Sequence, residues 1–65
     1  MKRITQLRKS QGLSMSALAR KADMHVSSVS QIESGRLIPY PAQVKKLSDA
    51  LDWQEEPKLL FLDMA

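Results

Sequence analysis

From Val26 to Ser34 the chain reads VSSVSQIES, and apart from Glu33 every polar side chain in that run is uncharged. Val29 and Ile32, three apart, mark the inner side of a helix and leave Val26, Ser27, Ser28, Ser30, Gln31 and Ser34 on the outside. Gln31 holds an amide donor and acceptor side by side, and the serine hydroxyls can serve as either. An ordinary solvent-facing helix carries more Lys and Glu, which form helices better than Ser, so something other than helix stability shaped this face. Short side chains let a helix backbone sit deep in a groove about 12 Å wide, the width of the DNA major groove, where long charged ones would hold it off. Catalysis has little to work with. The chain has no cysteine, a single histidine, His25, without metal-ligand company, no Gly-rich phosphate loop and no spaced carboxylate pair. The expectation is therefore a binding protein, not an enzyme, with no cofactor, no metal and no small-molecule substrate.

The elements that must position this face can be read outward from it. Ser14 is a good N-cap for a helix from about Met15 to Lys21 or Ala22, with Leu18, Ala19 and Ala22 inward. Asp23 and Met24 break the pattern, and Gly35 ends the second helix as a C′ glycine would. Before them, a helix from about Lys2 or Arg3 to Gln11 carries Ile4, Leu7 and Gln11 along one side and stops at Gly12. After them comes an extended loop to Pro41, which suits the first position of a helix bearing Val44, Leu47 and Leu51, closed by Asp52 and Trp53. Glu55-Glu56-Pro57 then opens a last helix, about 55–63. Residues 1–65 thus read as one all-α domain of five helices. Within the last helix, Leu59, Leu60, Phe61 and Leu62 are consecutive, and at 100° per residue one small core cannot bury all four. Some must face outward, as an interface with a second copy or with another protein.

Charge is unevenly spread. The net charge is +3. Residues 1–36 hold Lys2, Arg3, Arg8, Lys9, Arg20, Lys21 and Arg36 against Asp23 and Glu33, whereas residues 37–65 are acidic on balance. The basic half contains the two-helix pattern, which favours an anionic partner there; a solvated face with chance asymmetry is the plain alternative. Neither the basic start MKRITQLRKSQ, which lacks an apolar run behind it, nor Leu59–Leu62, far too short for a bilayer, suggests a membrane or secretory role, so a cytoplasmic protein is expected.

Leu7-Arg8-Lys9, Gly12-Leu13-Ser14, Leu18-Ala19, Ala22, Val29-Ser30-Gln31-Ile32-Glu33, Gly35, Pro39 and the stretch Leu47 to Leu51 together resemble the helix-turn-helix domain of phage Cro and repressor proteins, the Xre-type regulators. The resemblance covers roughly residues 3–52. It implies a lambda-repressor-like bundle in which helices 2 and 3 form the motif and helix 3 lies in the major groove. It also implies that Arg8 pairs with Glu33. Three departures stand out. Met15 replaces a Gln that contacts phosphate in the family, leaving Ser14 and Ser16 as hydroxyl donors beside the helix N-terminus. Asp23 stands where a Gly of positive φ is common, and Asp tolerates that region better than most residues. His25 stands where Ser or Thr caps helix 3; its ring either reaches a phosphate or is an indifferent cap.

The resulting expectation is a transcriptional regulator, in the first instance a repressor, that binds double-stranded DNA. Val26, Ser27, Ser30 and Gln31 read bases, while Ser14, Ser16, His25, Ser28, Ser34 and Arg36 contact phosphates. A homodimer on a near-palindromic operator completes it, with Leu59–Leu62 as the interface. The alternative is an antitoxin-like or anti-activator module whose main partner is a protein bound by that C-terminal segment.

Overall fold

Four α-helices and one turn of 3-10 helix make up the computed structural model, which describes residues 1–64: α1 (Arg3–Ser10), α2 (Met15–Lys21), α3 (Val26–Ser34), α4 (Pro41–Ala50) and the 3-10 segment Pro57–Phe61. α2 packs chiefly on α3, and the 3-10 segment packs on both α1 and α4. Ile4, Leu18, Val29, Ile32, Leu47, Leu51 and Leu60 are fully buried in one core to which every element contributes.

All four α-helices stop in the same way. In each, a residue of positive φ follows the last turn: Gly12 (73°), Asp23 (55°), Gly35 (83°) and Asp52 (55°). Its N–H donates to the carbonyl three residues back, and the next N–H donates to the carbonyl five residues back: Leu13 to Arg8 at 3.1 Å, Met24 to Ala19 at 2.8 Å, Arg36 to Gln31 at 2.9 Å and Trp53 to Ser48 at 2.8 Å. This double bond satisfies two carbonyls that a helix end would otherwise leave open, and it turns the chain sharply. The residue after the turn is usually apolar and tucks back against the helix. Leu13, Met24 and Trp53 obey, each packed against the core. Arg36 does not. It is exposed, and Leu37, whose N–H also donates to Gln31, supplies the inward contact instead.

The expected fifth α-helix over 55–63 is a five-residue 3-10 turn, so the bundle has four α-helices and not five. The carbonyls and N–H groups that would have extended it pair with the N-terminus instead. Arg3 N–H donates to the Leu62 carbonyl at 2.9 Å and Met64 N–H to the Met1 carbonyl at 2.8 Å, around an isolated antiparallel bridge between Lys2 and Asp63. One tight turn carries Leu60 into the core, and the chain then runs extended across the start of α1. The apolar quartet is accordingly divided: Leu60 is fully buried, Leu59 and Phe61 are half-buried, and Leu62 alone is mostly exposed, at 54%. Leu60 is therefore a core residue of its own domain and is not available to a partner.

Arg8 and Glu33, both buried, tie α1 to the last turn of α3. Arg8 Nε donates to Glu33 Oε2 at 2.8 Å and Nη2 to Oε1 at 3.1 Å. Nη1 donates to the Leu13 carbonyl at 2.8 Å, and Thr5 Oγ1 donates to Glu33 Oε1 at 2.9 Å. A bidentate pair with its remaining valences filled is the arrangement that offsets the cost of removing two charges from water.

Stability measurements test these features. Arg8→Met or Glu33→Gln strands the other charge and should cost on the order of 3 kcal/mol, a fall of more than about 10 °C in the thermal midpoint of so small a domain; an unchanged midpoint would show the pair to be dispensable. Asp23→Gly and Asp52→Gly should each stabilise by about 0.5 kcal/mol, because glycine takes positive φ without the Cβ clash, against a small gain in unfolded-chain entropy. Leu60→Ala should destabilise by about 2–5 kcal/mol, as for other buried leucines, and would cost little if the segment were a detachable tail.

Candidate nucleic-acid interface

The outer face of α3 lies beside the start of α2, and the local chemistry of both segments explains why. Ser14 Oγ accepts from Ala17 N–H at 3.0 Å and so fixes where α2 begins. α2 ends at Ala22; Asp23 then turns the chain, and its carbonyl accepts from Lys46 Nζ at 3.3 Å, which holds the turn against α4. His25 is the N-cap of α3 and makes no side-chain capping bond, so its ring is exposed and uncommitted. From there Val29, Ile32 and Glu33 are buried. That inward set leaves Val26, Ser27, Ser30, Gln31 and Ser34 exposed and Ser28 half-buried.

A shallow cleft of about 330 Å³ bordered by Met15, Ser30 and Ser34, with Lys2 and Thr5 at its back, joins the first residue of α2 to the outer side of α3. Of the positions expected to contact DNA, this cleft brings together Ser30 and Ser34, both on α3, while Ser14 and Ser16 do not line it. Met15 is half-buried and packs against the core, which is the packing role left to it once Gln is replaced. Met1 also borders this cleft, a position not legible from local sequence because it depends on the pairing with Met64.

Hydrogen bonding sorts the hydroxyls. Ser34 Oγ donates to the Gln31 carbonyl at 3.0 Å, so its one proton is engaged and it faces outward chiefly as an acceptor. A phosphate needs donors, and Ser34 is poorly suited to that role in this conformation. Ser14 is the reverse case: its oxygen accepts from the helix and its proton remains free to donate outward. Ser16, Ser27 and Ser30, with the Gln31 amide and the Arg36 guanidinium, make no side-chain bond to another described residue and are exposed. The side of Val26 is 45% exposed, an apolar point at the N-terminal end of this otherwise polar face.

Fewer cations of the basic half are free on the surface than the sequence suggests. Arg8 is buried with Glu33; Lys2 Nζ donates to the Phe61 carbonyl at 3.2 Å and lies 3.6 Å from Asp63; Arg3 lies over the Trp53 ring at 5.8 Å. Lys9, Arg20, Lys21 and Arg36 remain exposed. Of these, Arg20 and Lys21 close α2 and Arg36 follows α3, so the free cations sit at the ends of the two motif helices and leave the middle of α3 uncharged.

Among the described residues no group of His, Cys, Asp and Glu is placed to hold a metal ion, and no helix is long and apolar enough to cross a membrane. The chemistry available on this surface is hydrogen bonding by neutral groups between flanking cations, which suits the edge of a polyanion.

A model of the helix-turn-helix family matches residues 4–55, which is most of the chain and includes the whole of α1 to α4 but for its first residue. No curated protein and no solved structure matches it. On the extent of that match, and with two short helices joined at a tight turn beneath a neutral outer face, the chain belongs to the helix-turn-helix family of the Xre and Cro type, whose members are DNA-binding transcription regulators.

Proposed function

We propose that the protein is a sequence-specific repressor that occupies an operator in double-stranded DNA with α3 in the major groove. The observation that carries this reading is the exposed, unpaired amide of Gln31 in the middle of a face of short neutral side chains, with a free guanidinium at Arg36 one turn beyond. Gln31 has the geometry to bond adenine N6 and N7 together, Val26 meets a thymine methyl, and Ser27 and Ser30 donate or accept with little discrimination. Ser14, Ser16, Ser28, His25 and Arg36 supply the backbone contacts that fix register, with Ser34 the weakest of the set because its proton is held by the Gln31 carbonyl.

One short reading helix with one strongly discriminating side chain gives little specificity, and two copies roughly double it. The operator is therefore near-palindromic, with half-sites about 34 Å apart, one turn of DNA. Repression by occupancy needs nothing beyond a bound domain.

Selection of bound sites from random DNA, followed by binding measurements on the best site, tests the assignment. Gln31→Ala should relax the preference for A·T at one position in each half-site and cost about 1–3 kcal/mol there. Arg36→Ala should weaken all sequences alike and reduce the salt slope by about one. The roles are reversed if Arg36→Ala changes the preferred sequence and Gln31→Ala does not. Absence of any shifted complex with the protein's own upstream DNA at low salt would instead favour a protein partner as the main target.

A further inference from the structure

The one tryptophan of the chain borders a cavity of about 280 Å³ where the start of α1 meets the C-terminal segment. Arg3, Glu55, Leu59, Leu62, Asp63 and Met64 line the rest of it. The ring is held from three sides. Trp53 N–H donates to the Ser48 carbonyl at 2.8 Å, its Nε1 donates to the Glu56 carbonyl at 3.0 Å, and the side chain packs against the core. With the indole proton spent, the ring offers the cavity its face alone, and the Arg3 guanidinium lies over that ring, 5.8 Å from its centre. Backbone fixes the opposite wall: Arg3 N–H donates to the Leu62 carbonyl at 2.9 Å, which sets the two residues side by side.

The charges around this cavity do not neutralise one another. Arg3 and Glu55 line the same space, yet neither forms an ion pair with another described residue, and Asp63 is drawn toward Lys2, 3.6 Å away. A guanidinium and a carboxylate are thus held apart across a gap walled by an indole and two leucines. An apolar anion entering it finds Arg3 but faces Glu55. An apolar cation finds Glu55 but faces Arg3, which already covers the ring. A zwitterion with an apolar side chain satisfies both charges and the apolar wall together, and its carboxylate can take two parallel bonds from the guanidinium. The volume agrees, because drug-sized ligands occupy about 300–1,000 Å³ and a cavity at the bottom of that range suits a molecule on the order of ten non-hydrogen atoms.

We propose that this cavity binds a free α-amino acid with an apolar side chain, its carboxylate on the Arg3 guanidinium, its ammonium on Glu55 and its side chain between Trp53 and the leucines. The site is small, and Glu55 and Leu62 are exposed, so the affinity is modest, with a Kd on the order of 0.1–1 mM. The amino acid binds only the arrangement in which Arg3 and Leu62 adjoin, and it therefore shifts the chain toward the closure of residues 62–64 on residues 1–3. Lys2 belongs to that closure, and its side chain lies 3.6 Å from where a Cβ on Gly35 would stand, at the end of α3. Occupancy thus steadies the end of α3 against α1, and the amino acid acts as a corepressor. This second part rests on the repressor reading; binding itself does not.

Titration of the full chain with L-leucine, L-methionine and L-phenylalanine, without DNA and followed by Trp53 emission and by calorimetry, tests the site. At least one of the three should bind saturably below about 10 mM. Its analogues lacking the ammonium or the carboxylate, and glycine, which lacks the apolar side chain, should each bind at least about tenfold more weakly. Arg3→Gln and Glu55→Gln should weaken binding as much. Glu55 is exposed, so Glu55→Gln should leave the thermal midpoint unchanged and separate loss of binding from loss of fold. No saturable response to any of the three by either method, an analogue lacking one charge that binds as tightly as the amino acid, or an unaltered affinity in Glu55→Gln would each overturn the site. Operator affinity should rise at least about fivefold with the saturating amino acid in the natural chain and not in Glu55→Gln. Binding without that rise overturns the corepressor role alone, and a chain that binds the amino acid yet shows no operator preference overturns the repressor reading and leaves the site standing.

Discussion

Two opposite charges inside a core of seven fully buried aliphatic side chains are the constraint on which the arrangement of this protein turns. Apolar contacts alone would let α1 slide along α3 with little change in energy, since burial is not directional. The Arg8 guanidinium removes that freedom. It reaches both oxygens of Glu33 and the Leu13 carbonyl, and Thr5 supplies the carboxylate with a third donor. Each of these bonds weakens steeply with distance and angle, so the start of α1, the corner before α2 and the last turn of α3 are fixed relative to one another. Glu33 lies two residues from Gln31 and one from Ser34 on the same helix, and the pair therefore also sets the direction in which the outer face of α3 points.

The repeated helix ending works with that pair. Four turns of one type keep the connections short, which a chain with so small a core requires, because every loosely held residue adds entropy that burial cannot offset. At two of the four ends the positive-φ residue is Asp, and in both cases an apolar residue follows it into the core, Met24 or Trp53. At the end of α3 the following residue is Arg36. A guanidinium replaces the apolar plug at the one helix end that borders the proposed DNA surface, and Leu37, a residue later, restores the packing. The same two N–H bonds to the Gln31 carbonyl hold Arg36 and Leu37 at the start of the loop, and the extended backbone that follows leaves Ile38 in solvent.

The C-terminal segment joins the two ends of the chain. Leu60 closes the core between α1 and α4, and residues 62–64 pair with residues 1–3. Lys2, a free cation in the sequence, is drawn into this closure by the Phe61 carbonyl and Asp63, and its side chain also lies 3.6 Å from where a Cβ on Gly35 would stand. The N-terminus, the C-terminal strap and the end of α3 therefore meet at one residue.

The sequence by itself determined the four α-helices to within a residue or two, since their apolar periods, the Ser14 cap, Gly12, Gly35 and Pro41 are local signals acting within a single turn. It also determined the composition of the outer face of α3, because Val29 and Ile32 choose the inner side and everything else follows from helical spacing. Only the tertiary structure decided which cations are free, which hydroxyls retain a proton to donate, and how residues 55–64 fold. Arg8, Lys2 and Arg3 are indistinguishable from surface charges until partners distant in sequence arrive, Glu33, Phe61 with Asp63, and Trp53. Leu59–Leu62 has an apolar content that fits a helix, a strand or an interface. What resolved it was the vacancy between α1 and α4 that Leu60 fills and the backbone of residues 1–3 that 62–64 bond, and neither exists until the other helices have packed.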